Sequence, residues 1–280
     1  MTLSRRRFTA ASAAAAAFTL LPRWAIANGL TLAQVKASGE LRIGCEAAYV
    51  PFTYRLEGKI VGYDVELAEV LCKTIGVKPN FIDTAWAGVI PSLYAKKFDV
   101  IMSSMSYTKE RLERVAFSIP YAEASQALLV RAADSVSIKS GSDLNNKILA
   151  VKLGSPGQIL QEKLNAGLKS AGGPGFKELR TYDDHTSAYV ALAQNRVDGV
   201  LNTLATLAMV LKDAPGKYAI VKGLGADNWA GIAARKEDPE LVTWLNTEIS
   251  NLKADGTIYK LQEKWFGIRM ILADKVPTFS

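Results

Sequence analysis

Histidine and cysteine are nearly missing from this chain: of 280 residues one is histidine, His185, and two are cysteine, Cys45 and Cys72. A metal centre of the usual kind needs three or four such ligands at short spacings, and neither cysteine has a neighbour at ligand spacing, so no metal and no cofactor is expected. His185 follows Asp183-Asp184 at a helix start, where it reads as a solvated cap residue rather than as chemistry. The glycine signatures of phosphate and dinucleotide binding are absent, and so is the G-x-S-x-G turn of a hydrolase. Charge of one sign is also scarce once residues 1–27 are set aside. Arg5, Arg6, Arg7 and Arg23 lie in a stretch without an acid, and the 30 basic against 27 acidic side chains that remain leave a dispersed +3. Nucleic-acid binding calls for a clustered basic footprint, so no nucleic-acid partner is expected. Long apolar runs are lacking past residue 27, which argues against an integral membrane protein. What is present, 49% hydrophobic and 22% charged side chains, supports a real core and one large or two ordinary domains.

Residues 1–27 have the three-part layout of an export signal: Ser4-Arg5-Arg6-Arg7-Phe8, an alanine-rich apolar run from Phe8 to Leu21, and small residues at Ala25 and Ala27. As a helix that run would reach about 21 Å, short of the ~30 Å hydrocarbon core, so cleavage near Ala27/Asn28 is expected rather than anchoring. Ser-Arg-Arg-x-Phe resembles the twin-arginine signal, an ordinary export signal with a basic start being the plainer alternative. No cysteine follows that could carry a lipid. The expected location is the periplasm, where Cys45 and Cys72 could pair; two buried free thiols are the expected state.

The rest of the chain alternates. Leu32 to Ser38 is helix-periodic and stops at Gly39; Leu41 to Cys45 alternates as a strand; Tyr54 to Ile60 reads as a hairpin about Gly58. Val65, Leu67, Ala68, Leu71 and Ile75 then repeat at helical spacing up to Gly76 and Pro79, and a strand follows from Lys78 to Ile82. Such alternation predicts parallel sheet covered by helices. Val89–Met105 and Ala188–Leu204 superpose at a constant offset of 99, bringing Leu93 onto Leu192, Asp99 onto Asp198 and Ser103 onto Asn202. Two copies of a βαβ lobe fit this better than a repeat array. Ligands bind beyond the carboxyl ends of strands in open α/β sheets, so Ser103-Ser104 and Asn202-Thr203 should both face a cleft. Extended runs at Gln126–Arg131 and from Tyr218 to Ala233 read as the two strands crossing between lobes. The expected order is 28–125 in lobe one, 126–131 a crossing strand, 132–222 lobe two, and 223–280 a return strand plus two helices opened by Asp238-Pro239 and Thr257.

Two elements suit an anion. Gly154-Ser155-Pro156-Gly157 follows the strand Ile148 to Leu153 and opens a helix over Gln158 to Leu164, where free N–H groups and the helix dipole favour negative charge; Pro156 itself adds no donor. Thr108 can cap a short helix that carries Arg111 in its first turn, where a cation opposes the dipole. That cost makes sense if Arg111 grips a carboxylate; a surface arginine beside Glu110 is the plainer alternative.

The series Leu41–Phe52, Val61–Ala68, Trp86–Leu93, Phe98–Arg111, Ala254-Asp-Gly-Thr257 and Trp265-Phe266 resembles the periplasmic solute-binding proteins of polar amino-acid ABC importers. The resemblance implies an α/β fold of two Rossmann-like lobes joined by two hinge strands, the type II periplasmic-binding-protein architecture, closing as a monomer on one small molecule that it hands to an inner-membrane ABC permease. It implies ring contacts from Tyr49 and Trp86 (in Trp86 the alternative is core packing), carboxylate contacts from Arg111, Ser106 and the N–H groups near Ser155, amino-side contacts from Ser103 and Ser104, and a polar contact from Glu46; Asn202 and Thr203 complete the expected set. Two flanking rings suit a cationic, apolar or aromatic head. In two places the sequence departs from the family: Thr203 stands where an aspartate usually pairs with the α-ammonium, and Pro156 where many members have threonine. Either Glu46 takes over the ammonium or the ligand has none there, since an unpaired buried charge costs several kcal/mol. The expected ligand is therefore a small carboxylate-bearing solute, an amino acid or another organic anion. The competing class is a dehydratase-like enzyme on the same scaffold using Glu46 or Lys152 as acid or base; a receptor sensor would need a downstream membrane span, and this chain contains none.

Overall fold

A computed structural model describes residues 29–279; the expected export signal, residues 1–27, lies outside them. Helix α1 (Leu32–Ser38) is closed at its start by a Thr31–Gln34 capping box and at its end by Gly39 in the left-handed conformation. Strand β1 (Glu40–Cys45) leads through a three-stranded meander, β2 (Ala48–Tyr49), β3 (Thr53–Leu56) and β4 (Lys59–Val61), into α2 (Tyr63–Ile75). Gly62, before α2, has φ +137°, and a Cβ there would lie 2.1 Å from the Phe52 carbonyl oxygen, so only glycine fits. Leu67, Ala68, Leu71 and Cys72 are the buried face of α2, as their spacing predicts. Strand β5 (Lys78–Asp83), α3 (Val89–Tyr94), β6 (Val100–Ile101), α4 (Lys109–Arg114), β7 (Ala116–Phe117) and β8 (Ala122–Glu123) follow.

The chain then builds a second sheet from β9 (Gln126–Arg131), β10 (Ile148–Lys152), α5 (Pro156–Ser170), β11 (Glu178–Tyr182), α6 (His185–Ala193), β12 (Gly199–Thr203), α7 (Leu204–Asp213) and β13 (Tyr218–Val221). It returns through β14 (Trp229–Ala230) and β15 (Ala233–Ala234) to α8 (Pro239–Ala254) and α9 (Thr257–Phe266). The sheet orders are β5-β1-β6-β15-β7 and β11-β10-β12-β9-β13. Each is three parallel strands followed by one antiparallel strand, β15 or β9, and then an edge strand, β7 or β13, that pairs antiparallel with it and so runs with the first three; the middle strands are buried on both faces, as parallel strands under helices must be.

Three expectations are modified. Gln126–Arg131 is not a free crossing strand: it is paired on both sides within the second sheet, because its Leu128 and Leu129 each bury in one of that lobe's two cores. The Tyr218–Ala233 run is likewise broken into β13, β14 and β15, with Gly223 turning at φ +73°. The passages between lobes are shorter and run side by side. There β8 pairs antiparallel with β14, and the Ala124 N–H donates to the Asn228 carbonyl. Helix α5 runs on to Ser170 rather than stopping at Leu164, since Leu168 continues its buried face. Cys45 and Cys72 are free and buried, and burial pushes both thiols up to about 12.

The 99-residue offset has a physical basis. Lys96 and Asn195 both turn with positive φ, +57° and +58°, between helix and strand. Three residues on, Asp99 Oδ2 accepts the Arg42 N–H of β1, and Asp198 Oδ2 accepts the Ile148 N–H of β10. In each lobe one aspartate thus satisfies a main-chain donor of the neighbouring parallel strand, just before the two strands begin to pair or at the strand's first residue.

Removal of the Asp198 carboxylate should cost about 1–3 kcal/mol by leaving the Ile148 donor unpaired. Asp99→Ala should cost more, since Asp99 is only 3% exposed, pairs with Arg42 and faces the buried Arg235, whereas the Asp198 pair with Arg131 is half-exposed. Calorimetric Tm values check this; an Asp99→Ala loss no larger than that of Asp198→Ala would refute it.

Candidate functional site

The sheets face each other with the carboxyl ends of their parallel strands. Glu46 follows β1, Trp86 follows β5 and Ser103-Ser104 follow β6; opposite them stand Lys152 at the end of β10, His185 just beyond β11, and Asn202-Thr203 at the end of β12. A parallel strand runs out of partners at its end, which leaves these side chains free to converge. Between the lobes lies a small polar cavity of about 20 Å³, on the scale of one water molecule.

The groups around it are mostly buried and hydrogen-bonded. The Tyr49 hydroxyl donates to Asn202 Oδ1 at 3.3 Å and lies 3.0 Å from Thr203 Oγ1, and burial pushes the phenol up to about 12. Thr203 Oγ1 also meets Thr206 Oγ1 at 2.9 Å, and Asn202 donates to the Tyr189 hydroxyl at 2.6 Å. Ser103 Oγ accepts the Glu46 N–H at 3.1 Å and sits 3.1 Å from Thr53 Oγ1. Ser104 is held with φ +48°, unusual for a residue with a Cβ; its N–H donates to Asp64 Oδ2 at 3.0 Å and to the Tyr121 hydroxyl at 2.9 Å. Asp64 is fully buried at the start of α2, and desolvation raises its carboxyl to about 7 despite those donors.

Two charged contacts join the lobes. Lys152 Nζ donates to Glu46 Oε2 in a buried ion pair, and it lies 4.5 Å from the Trp86 ring centroid and 5.4 Å from that of Tyr49. Burial lowers the Lys152 ammonium below its ordinary range, and Glu46 opposes this. Thr108 caps α4 through the Arg111 N–H, and Arg111 is buried, as a carboxylate-gripping residue would be. Its guanidinium donates to the Ser106 carbonyl at 2.7 Å and, across the cleft, to the Gly154 carbonyl at 2.9 Å, and stands 5.1 Å over Trp86. Burial brings it down to about 10, so it keeps its charge at neutral pH. Trp86 is half-buried and donates to the same Gly154 oxygen at 3.2 Å. Gly154 turns at φ +69°, and this aims its carbonyl at lobe one.

Of the residues expected from sequence, Tyr49, Trp86, Ser103, Ser104, Ser106, Ser155, Asn202 and Thr203 line this cavity, and Glu46 and Arg111 touch groups in its wall. His185 requires correction. It is not a solvated cap but 7% exposed in the cavity wall, its ring stacked 5.7 Å from Tyr49 and 6.2 Å from Tyr189. Desolvation, with Lys152 nearby, holds its imidazole well below the ordinary value and hence neutral. Asp184 does the capping, accepting the Ser187 N–H at 2.7 Å. Gln126, which was not expected as a site residue, also lines the cavity, and so does Lys152, which was expected in the cleft only as the acid or base of the competing enzyme reading. For His185 and Lys152 the signal was available: each stands where a strand of a parallel sheet ends.

Three side-chain atoms in the wall are buried without a partner: Ser104 Oγ from lobe one, and Ser155 Oγ and His185 Nε2 from lobe two. Such a wall offers unused hydrogen-bonding groups from both sides to whatever the cavity holds.

Comparison with known proteins agrees with this geometry. A sequence model of the bacterial extracellular solute-binding proteins, family 3, matches residues 41–268. The chain is 33% identical over 238 residues to the L-cystine-binding protein TcyJ of Escherichia coli (strain K12), covering 84% of this chain and 86% of that protein. It is similar to the crystal structure of the ancestral amino acid-binding protein AncCDT-1, a precursor of cyclohexadienyl dehydratase, with TM-score 0.76 and 35% identity over 84% of this chain and 99% of that one. It is also similar to an ancestral arginine-binding protein bound to arginine, with TM-score 0.72 and 37% identity over 82% and 99% of the two chains.

The Asp64 carboxyl gives the protein a pH signature. With its folded value raised from 3.8 to about 7, the native state holds a proton that the unfolded chain releases earlier, so its stabilising contribution is full below about pH 4 and drains away up to about pH 7. Asp64→Asn, which still accepts the Ser104 N–H, should be spared that decline. Tm measured across this range should fall more steeply in the parent protein, and parallel curves would refute the assignment.

Proposed function

The chain belongs to the bacterial extracellular solute-binding proteins, family 3, and from that premise we propose that it binds a small carboxylate-bearing solute, an amino acid or a close relative, between its two lobes and delivers it from the periplasm to an ABC permease. The observation that carries the reading is the set of partnerless polar atoms, Ser104 Oγ, Ser155 Oγ and His185 Nε2, which belong to different lobes yet share one cavity wall.

Binding then proceeds by hinge closure. The side-by-side passages at Ala124 and Asn228 are the pivot, since only two short pieces of chain need to change torsion there. The solute enters when the lobes part, because a cavity of about 20 Å³ is too small to admit an amino acid by itself. Contacts to both lobes favour the closed form by the difference in affinity between the two arrangements. Arg111, with Ser106 and the partnerless Ser155 hydroxyl, holds the carboxylate, the Gly154 and Ser155 N–H groups being already engaged by Gln158 and Lys152; Ser103, Ser104, Asn202 and Thr203 meet the remaining polar groups, and Tyr49 and Trp86 line the cleft beside it. The curated relative TcyJ is a binding protein, in line with a carrier rather than a catalyst.

A thermal-shift screen of residues 28–280 against the amino acids and matched acids without the amino group tests this, because a ligand of the native state raises Tm. At least one carboxylate should stabilise the protein, and Arg111→Ala should weaken it by about 2–5 kcal/mol. Silence across both sets, or unchanged affinity in the variant, would overturn the reading.

A further inference from the structure

We propose that Lys152 sets the charge class of the solute: its ammonium fills the slot between the Tyr49 and Trp86 rings with a cation of the protein's own, so that the cleft takes a short solute of net negative charge, a dicarboxylate, and rejects cationic side chains. The inference rests on the reading that the cavity between the lobes is the solute site, and it goes further by naming what that site accepts.

Three observations carry it. A pair of rings flanking a cleft is a natural seat for a ligand cation, but here Lys152 Nζ already lies 4.5 Å from one ring centroid and 5.4 Å from the other. A guanidinium or ammonium on the solute would have to enter beside it, like charge against like charge in a desolvated site, which is the costly arrangement. The second observation is the balance of fixed charge. Arg111 and Lys152 stand on the two sides of the cleft, and Glu46 is the one carboxylate that meets either of them among the described residues. The Arg111 guanidinium donates to the main-chain carbonyls of Ser106 and Gly154, and the other acids that act on the two cations, Glu110 and Asp184, do so from exposed and half-exposed positions, so within the cleft one cation has no anion in contact with it. A dicarboxylate, with one net negative charge if it carries an α-ammonium and two if it does not, meets that surplus as a neutral or cationic solute cannot. The third is the absence of a free anion for an α-ammonium. Thr203 offers a hydroxyl already engaged by Tyr49 and Thr206, and the Glu46 carboxylate is held by Lys152. Asp64 lies behind Ser104, fully buried and outside the cavity wall.

The geometry also says how the negative groups are read. Both cations stand over the same indole, Arg111 at 5.1 Å and Lys152 at 4.5 Å from its centroid. Two carboxylates only a short carbon chain apart therefore reach both: one takes the planar fork of Arg111, and the other approaches the ammonium that Glu46 holds in place. Glu46 is then a positioning residue for Lys152 rather than a partner for the solute's amino group.

The experiment is a calorimetric titration of residues 28–280 with L-glutamate, α-ketoglutarate, L-glutamine, L-arginine and L-cystine. L-Glutamate or α-ketoglutarate should bind at least ~tenfold more tightly than L-glutamine, an isostere without the second charge, and L-arginine should bind weakest. Lys152→Met should lose the dicarboxylate by on the order of 30-fold or more while changing L-glutamine far less; Lys152→Arg should keep the preference for the anion. Because Lys152→Met leaves Glu46 unpaired, the double variant Glu46→Gln/Lys152→Met is measured alongside it and should show the same loss of charge preference in a folded protein. Tightest binding of L-arginine, L-glutamine or L-cystine by the parent protein would overturn the inference and leave the amino-acid carrier intact. Failure of every probe to bind would overturn the inference, and the carrier reading would fall with it only if the wider screen of amino acids and matched acids were silent too; an unchanged preference for the anion in the Lys152→Met and double variants would remove Lys152 from the role.

Discussion

A parallel strand ends with its last side chains and main-chain groups unclaimed by the next element, and in this protein two such sheets are set end to end. Everything polar about the site follows from that constraint. Glu46, Trp86 and Ser103-Ser104 leave one sheet, Lys152, His185 and Asn202-Thr203 leave the other, and they meet because the chain passes twice through the same narrow place at Ala124 and Asn228. The helices and cores behind them are support. Burying both faces of β10 and β12 fixes the strand ends to within a side chain's reach of the opposite lobe.

Charge is arranged with the same economy. The interior of a closed cleft makes each ion expensive unless it is matched. Lys152 and Glu46, one from each lobe, match each other, and with the Tyr49, Trp86 and Arg111 hydrogen bonds theirs is one of the contacts that join the lobes. Arg111 is handled differently, through two carbonyls, one on its own lobe and one on the other. Gly154 supplies the second of these because its left-handed turn points a carbonyl, not an N–H, at lobe one. If the lobes close on a solute as proposed, these internal contacts favour closure already, and the solute shifts it only by the contacts it adds, for which the partnerless hydroxyls of Ser104 and Ser155 are at hand.

The twofold likeness of the lobes has a similar economy. The offset of 99 residues preserves few side chains: a core leucine, Leu93 or Leu192, and an aspartate, Asp99 or Asp198, that accepts a main-chain donor of the adjacent strand; it also preserves a left-handed turn, made by Lys96 in one lobe and Asn195 in the other. At the strand ends, by contrast, the equivalents Ser103 and Asn202 differ, because there each lobe presents a different half of one asymmetric site.

Much of this was legible in the sequence. Periodicity, glycine stops and the 99-residue offset are local quantities, so α2, α8, α9, the hairpin about Gly58 and the two-lobed α/β order could be read directly, and the rule of strand ends pointed to Ser103, Ser104, Asn202 and Thr203. Other features depend on distance across the fold. That β9 is an inner strand of the second sheet rests on which cores Leu128 and Leu129 meet. That His185 is buried rests on Tyr49, which lies far from it in the chain and close to it in the cleft. That Glu46 is taken by Lys152, 106 residues away, could not be seen in either residue alone. The sequence by itself determined the elements, because helix and strand preferences are settled within a few neighbours; only the tertiary structure decided which charges cancel, because Coulomb attraction and desolvation act between groups that the chain brings together last.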